Sequence, residues 1–544
     1  MENRSLPGLL LVLVLVVAVA IFLDAPGWLL LALLLLLAGL IGLLMGPGRP
    51  SEPPPPPPEE PPTPEFPPEE FYVQDQVIVS GPTAAVATAV NAAGDIIQPD
   101  YLRRINFAEL DPDVRACLND CADVDFGDYV IDLYQLTGTA DAVAAAIAAI
   151  NRAVGRGGSV RGEPNWLSGH PWDPTGSPWD PTGSPWDPTG SSGSNSQSAP
   201  PDLFLKQWAF AQIELTGARD PATGRGVRIG VFDTSPYAAQ SAAPGRQTLD
   251  WVTKPAPLTV QTASYPVPAE DNAQKDLSNH GIFSAGLAHA VAPYADIQLI
   301  RVLNDNNIGD LYSLVEALFD FVKANARGQL PEGVLGAVIN MSLGIRVPPD
   351  EAGFNLPVEV LALRDVLRAA HCADIVVVAA AGNDSANLPQ PEPANLPANW
   401  GPLIGVAGTN QERRRGCFSN RGDLSAPGGD GRPDDKDPTK CVPANDVCGN
   451  QDCPTAVIGP VIKTEHNTGF AYWSGTSFAT PMVSGLAALV IERGGGQLSP
   501  AEVRRIIECG CEATAVPDPA LGKGIINVRK TLDDFERCRG QSGG

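Results

Sequence analysis

The apolar positions change their spacing several times along this chain, and each spacing predicts a different element. Residues 6–23 and 27–45 are nearly unbroken apolar runs, each of about the length that crosses a bilayer as a helix. Asp24-Ala25-Pro26 separates them, so residues 1–46 read as a transmembrane helical hairpin. A cleaved signal peptide is the rival reading of the first run, because Ala18-Val19-Ala20 mimics a cleavage motif. The second apolar run directly behind it argues against full secretion. Residues 47–70 are rich in Pro and Glu and have no apolar face, so they read as an extended linker.

From residue 71 the spacing becomes that of a folded domain. It predicts strands over 76–80, 128–136 and 159–164, and helices over 83–93 and 139–154, with room for one more strand near 96–101. A β-α-β-α-β order of this kind suits a small ferredoxin-like α+β domain over 71–167. Residues 168–202 contain Pro171-Trp172-Asp173-Pro174-Thr175-Gly176-Ser177 and two further copies of it, then a Gly/Ser tail. Each copy is turn chemistry without a periodic apolar face, which makes the segment a tether. Its tryptophans also suit docking to an aromatic-binding module, the weaker reading.

Residues 203–535 are built differently again. Residues 227–233, 335–341 and 374–383 are short apolar runs, as expected of parallel strands buried on both faces. Apolar helical segments follow at 282–290 and through 486–490. The predicted fold is α/β, a doubly wound, mostly parallel sheet, in which sites gather beyond the carboxyl ends of the strands. Residues 536–544 read as a C-terminal tail.

Polar residues stand at those strand and helix ends. Asp233 closes one strand, Asn383 closes another, and Asn279-His280-Gly281 opens a helix. Ser477 lies where the small-residue turn Ser474-Gly475-Thr476 runs into an apolar helix. Unpaired N–H groups and the positive dipole end favour developing negative charge at such a junction. An N-capping serine before a core helix is the bland alternative. Pro481 is expected in the first helical turn, where its missing N–H costs little. The order Asp, His, Ser is one of the known chain orders of a nucleophilic triad.

These motifs resemble the subtilisin-like serine proteases across 203–535. Gly475-Thr476-Ser477-Phe478-Ala479-Thr480-Pro481 is the most specific of them, supported by His280-Gly281 with Ala285-Gly286 and by Ala381-Gly382-Asn383. The resemblance implies Ser477 as nucleophile, His280 as general base and acid, Asp233 as its orienting partner and Asn383 as a side-chain oxyanion donor. Ser342-Leu343-Gly344 resembles the edge that pairs with the substrate backbone. By pattern and position, 71–167 looks like the inhibitory propeptide of this family, whose tail lies in the cleft; an unrelated accessory domain is the alternative. Two positions depart from the family pattern: Thr234-Ser235-Pro236 follows Asp233, and Ile282 follows His280-Gly281.

Composition narrows the partners. The formal net charge is −25 and the 37 Lys and Arg are scattered, which excludes nucleic-acid binding through phosphate neutralisation. Seven of the ten cysteines lie between Cys417 and Cys538 without a paired C-x-x-C motif, which argues against zinc. Loop disulfides fit that pattern and would need an oxidising compartment; free buried thiols are the alternative. Cys117 and Cys121 are four apart, on one helix face if that stretch is helical. The acidic run 430–437 is compatible with a structural calcium ion, as carried by many relatives, or with a solvated loop. No metal or cofactor is required for the chemistry. His170, His289, His371 and His466 read as structural.

The expectation is a membrane-anchored serine endopeptidase acting on polypeptides through an acyl-enzyme, made as a self-processed zymogen. A silent binding or scaffold relative, and a regulator that cleaves only itself, are the alternatives. Arg4 and Arg49 flank the hairpin and put both ends in the cytoplasm by the positive-inside rule. The cysteines and the family resemblance point outward, so the side stays open with a lean to the extracytoplasmic face.

Overall fold

The first folded unit follows from alternation on its strands. It runs β1 (Tyr72–Pro82), α1 (Thr83–Ala92), β2 (Ile97–Asn106), α2 (Pro112–Asp120), β3 (Tyr129–Leu136), α3 (Ala142–Val154) and β4 (Arg161–Gly169). The sheet is antiparallel in the order β4-β1-β3-β2. Helix α2 was not expected from sequence. It buries only Val114 and Leu118, four apart, which is too narrow an apolar stripe to stand out. Strand β4 runs to Gly169 rather than Pro164, because its last residues pair outside their own domain.

This computed structural model describes residues 71–540 except 121–123, 138–141, 156–157, 170–202, 220, 238–244, 250, 253–255, 270–276, 346–359, 387, 389, 431, 434–440, 443–454, 463–468 and 515–516. The expected hairpin and linker (1–70), the repeat tether, Cys121, His170, His466 and most of the acidic run 430–437 therefore lie outside the described residues. Among the described residues, no helix is long and apolar enough to cross a membrane.

The second unit is an eight-stranded sheet. Its strands are β5 (Val227–Asp233), β6 (Gly245–Leu249), β7 (Leu258–Ser264), β8 (Asp296–Arg301), β10 (Gly336–Met341), β12 (Val376–Ala380), β13 (Ile404–Thr409) and β14 (Leu424–Pro427). The order is β14-β13-β12-β10-β5-β8-β7-β6, parallel except for the edge strand β6. Two short edge strands, β9 (Ile308–Asp310) and β11 (Gly344–Ile345), stand apart from it.

The strands are buried on both faces, with successive residues facing opposite cores. Val231, Val338 and Val378 enter the core built by α4 (His280–Val291) and α7 (Thr476–Arg493). Phe232, Ile339 and Val377 enter a second core with α5 (Leu311–Asn325) and α6 (Leu361–Cys372). That second core continues into the first unit without a break. Phe107 packs against Phe126 and Tyr129 of its own domain and against Phe319 of α5, with ring centroids 5.2–5.4 Å apart.

Candidate active site

The central strand β5 ends at Asp233, and α4 begins at His280 directly above it. Asp233 Oδ1 lies 2.7 Å from His280 Nδ1, and both side chains are fully buried. The same oxygen accepts the Thr234 N–H at 2.7 Å. Close approach of α4 to the strand explains the glycine after the histidine, since a Cβ at Gly281 would collide with the Thr234 carbonyl. Thr234, just ahead of the departure at Ser235-Pro236, ties the junction together. Its hydroxyl lies 3.1 and 3.0 Å from the Leu277 and Ser278 carbonyls and accepts the Gly281 N–H. His280 is walled by Trp473 and Phe478, with ring centroids at 5.4 and 5.0 Å. Its Nε2 has no hydrogen-bond partner among the described residues.

Ser477 is the second residue of α7, among the N–H groups that have no intrahelical acceptor. Its hydroxyl donates to the Ser342 carbonyl at 3.3 Å and not to His280 Nε2. Pro481 is the sixth helical residue, not a first-turn residue as expected, so it leaves the Ser477 carbonyl without its usual N–H donor. The Ser342 hydroxyl takes that place at 2.7 Å. Asn340 donates to Ser342 Oγ at 3.0 Å and accepts from Ser484 of α7 at 2.8 Å.

Asn383 lines the same small cavity as Ser477, Ser342, Leu343 and Gly344. Its Oδ1 accepts both the N–H and the hydroxyl of Thr476, at 2.9 and 3.0 Å. A backbone N–H must face an oxygen, so this contact fixes the amide orientation. Nδ2 then carries N–H bonds with no acceptor among the described residues. A buried donor without a partner is costly unless a ligand supplies the acceptor.

The remaining sequence candidates divide. Gly344 pairs with Gly169, and Ile345 with Ser168, on one side of β4. On the other side Leu167, Ser168 and Gly169 pair with Asp310, Gly309 and Ile308. The end of β4 is thus a middle strand between two cleft edges, and Gly169 lines the cavity that holds Ser477. Ser342 acts instead through its contacts with Ser477, while Leu343 is buried in the cavity wall. The edge β9, and the roles of Thr476 and Asn340, escaped the sequence reading. The turn-rich Asn304-Asp305-Asn306-Asn307 before β9 was the available signal for the edge.

His289 is buried and its Nε2 contacts the Ala256 carbonyl at 2.9 Å, while burial lowers its pKa. Asp430 of the acidic run accepts from Asn410 Nδ2 at 2.7 Å and from the Cys417 N–H at 2.8 Å. Among the described residues, no three His, Cys, Asp or Glu side chains cluster as metal ligands.

The subtilase family model matches residues 224–524, more than half of the chain, and the chain belongs to that family. It is 26% identical to the minor extracellular protease Epr of Bacillus subtilis, over 61% of this chain and 42% of that protein. It is 25% identical to thermitase of Thermoactinomyces vulgaris, over 61% of this chain and 98% of that protein. With subtilisin E of Bacillus subtilis it shares 28% identity over 50% of this chain and 60% of the relative. The chain thus spans about half the length of several curated relatives it matches.

Proposed function

We propose that this chain is a serine endopeptidase that hydrolyses polypeptides through an acyl-enzyme. The observation that carries the reading is the buried 2.7 Å Asp233–His280 contact, set at the carboxyl end of the central strand beneath the serine-bearing helix. A serine hydroxyl is a weak nucleophile until a neutral imidazole accepts its proton during attack. Here Nδ1 is engaged by Asp233, which leaves Nε2 as the free basic atom. The carboxylate holds that tautomer and stabilises the imidazolium that forms. The oxyanion of the tetrahedral intermediate needs donors already in position, and Asn383 Nδ2 with the Ser477 N–H supplies them. The imidazolium then protonates the leaving amine, and water repeats the sequence on the ester.

The 71–169 domain is the inhibitory half of a zymogen. Its strand β4 fills the groove that an extended peptide would occupy by strand addition. Self-processing within 170–202 would separate the two halves, and residues 1–46 would anchor the protein in a membrane, with the catalytic domain on the extracytoplasmic side. The two apolar runs of sequence support the anchor, and membership of the subtilase family supports polypeptide as the substrate class. One observation favours the narrower reading of a regulator that cleaves only itself: the inhibitory domain shares a continuous core with the catalytic domain. N-terminal sequencing of the mature protein, combined with turnover of casein in trans, tests both. A new N-terminus within 170–203 with casein hydrolysis supports the endopeptidase; the same N-terminus without hydrolysis supports the self-limited regulator.

A further inference from the structure

The two halves are joined at a second place, far from the tether in sequence. Cys117 on α2 of the 71–169 domain is bonded to Cys372, the last residue of α6 in the α/β domain, with Cα atoms 5.7 Å apart and a sequence separation of 255. Helix α6 is held at its other end too. Glu163 of β4 accepts the Leu361 and Ala362 N–H groups at 2.9 and 2.7 Å. Between these ends, the Tyr129 hydroxyl donates to Asp365 at 2.7 Å. The inhibitory domain is therefore fastened along the whole length of one catalytic-domain helix.

We infer that Cys117–Cys372 is a covalent latch that keeps the 71–169 domain on the enzyme after the tether has been cut. Release then requires two chemically different steps. The inference rests on the inhibitory role proposed above, because only an inhibitory domain needs a latch. A peptide cut anywhere in 170–202 opens the backbone but leaves the sulfur bridge. A bound domain held by one link stays at millimolar effective concentration, so it re-enters the cleft far faster than it diffuses away. Escape needs a dithiol reductant of the thioredoxin class. Its thiolate attacks one sulfur to give a mixed disulfide and one free protein thiol. Its second thiol resolves that intermediate, leaving Cys117 and Cys372 as thiols and the reductant as a disulfide. Both cysteines are only half-buried, so an attacking thiolate can reach them. The bridge Cys509–Cys538 lies outside the 71–169 domain, and Cys538 is fully buried. The free thiol Cys511 is buried and its pKa is pushed up to about 12, which keeps it out of exchange.

The test uses the whole chain with its tether cut, by its own activity or, in Ser477→Ala, by limited external proteolysis. A denaturing gel without reductant should show one species, and the same sample with dithiothreitol should show two fragments. Cut wild-type protein at nanomolar concentration should gain at least about tenfold in turnover of an unstructured protein when a dithiol is added. Cut Cys117→Ser/Cys372→Ser protein should have that activity without the dithiol. Two fragments on the gel without reductant would overturn the latch. So would cut protein that is inhibited while bridged and stays equally inhibited once the bridge is reduced. Cut, disulfide-intact protein with full turnover would reject the inhibitory reading instead, while the gel, which needs no variant, would still decide the covalent link.

Discussion

The Ser342 hydroxyl donates a 2.7 Å hydrogen bond to the Ser477 carbonyl, the one helical acceptor that Pro481 cannot satisfy. A proline six residues into a buried helix ought to disturb it. Here the loss is met by a side chain from the loop that also forms the cleft wall. One hydrogen bond therefore couples the helix carrying the proposed nucleophile to the edge β10–β11.

Ser342→Ala should leave that buried carbonyl unpaired and destabilise the protein by about 1–3 kcal/mol. Adding Pro481→Ala returns a backbone N–H donor and should recover part of that loss. Denaturant titration of the two single variants and the double variant, all in a Ser477→Ala background to prevent autolysis, gives the coupling energy. Strict additivity would contradict the exchange of donors.

Asn383→Ala should lower kcat by about 10²–10³ with KM nearly unchanged, the range known for the equivalent loss in a subtilisin. Thr476→Val, which removes one of the two donors orienting the amide, should have a smaller effect in the same direction. A lowered melting temperature with normal kcat would assign Asn383 to structure alone.

Gly169 has φ +117°, and a Cβ there would collide with the Asn307 carbonyl of the cleft. Gly169→Ala should cost about 1–3 kcal/mol of backbone strain where the strand enters the cleft. Uncut protein should then leak activity about fivefold or more above wild type. The core of the 71–169 domain, measured by hydrogen exchange, should not change.

Glu163 gives the docking a pH dependence. Burial pushes its carboxyl up to about 8, against the pull of the two α6 N–H donors. Burial also raises Asp365, despite its Tyr129 hydrogen bond and neighbouring arginines. A carboxyl with a raised folded-state pKa contributes stability that is fully present below its unfolded value, near 4.5 here, and is lost as pH rises through about 8. Full-length Ser477→Ala protein should therefore lose melting temperature between those limits. Glu163→Gln, which stays neutral, should flatten that slope. A stability that rises over this window would contradict the assignment.

Most of the site was legible because its chemistry lies in short local motifs. Asp233 ends an apolar run, His280-Gly281 opens a helix, and Ser477 sits in a small-residue turn. What stayed hidden is long-range. Strand β4 looked finished at Pro164 because its last partners, Ile308–Asp310 and Gly344–Ile345, lie some 140 to 180 residues further along. Cys117 gave no sign of Cys372, since spacing does not determine pairing. The sequence reading placed Pro481 one turn too early, because a buried helix is apolar all round and its first residue has no periodic signature. The Thr476–Asn383 contact joins the start of α7 to the turn after β12, which only the parallel sheet brings together.

The central claim is that Ser477, assisted by His280 and Asp233, is the nucleophile. Its most direct test is fluorophosphonate labelling of tether-cut, reduced protein, with the modified residue located by peptide mapping. The label should fall on Ser477, disappear in Ser477→Ala, and form far more slowly in His280→Ala, with turnover reduced by about 10⁴ or more in either variant. Labelling at another residue, or Ser477→Ala turnover within about tenfold of wild type, would contradict it.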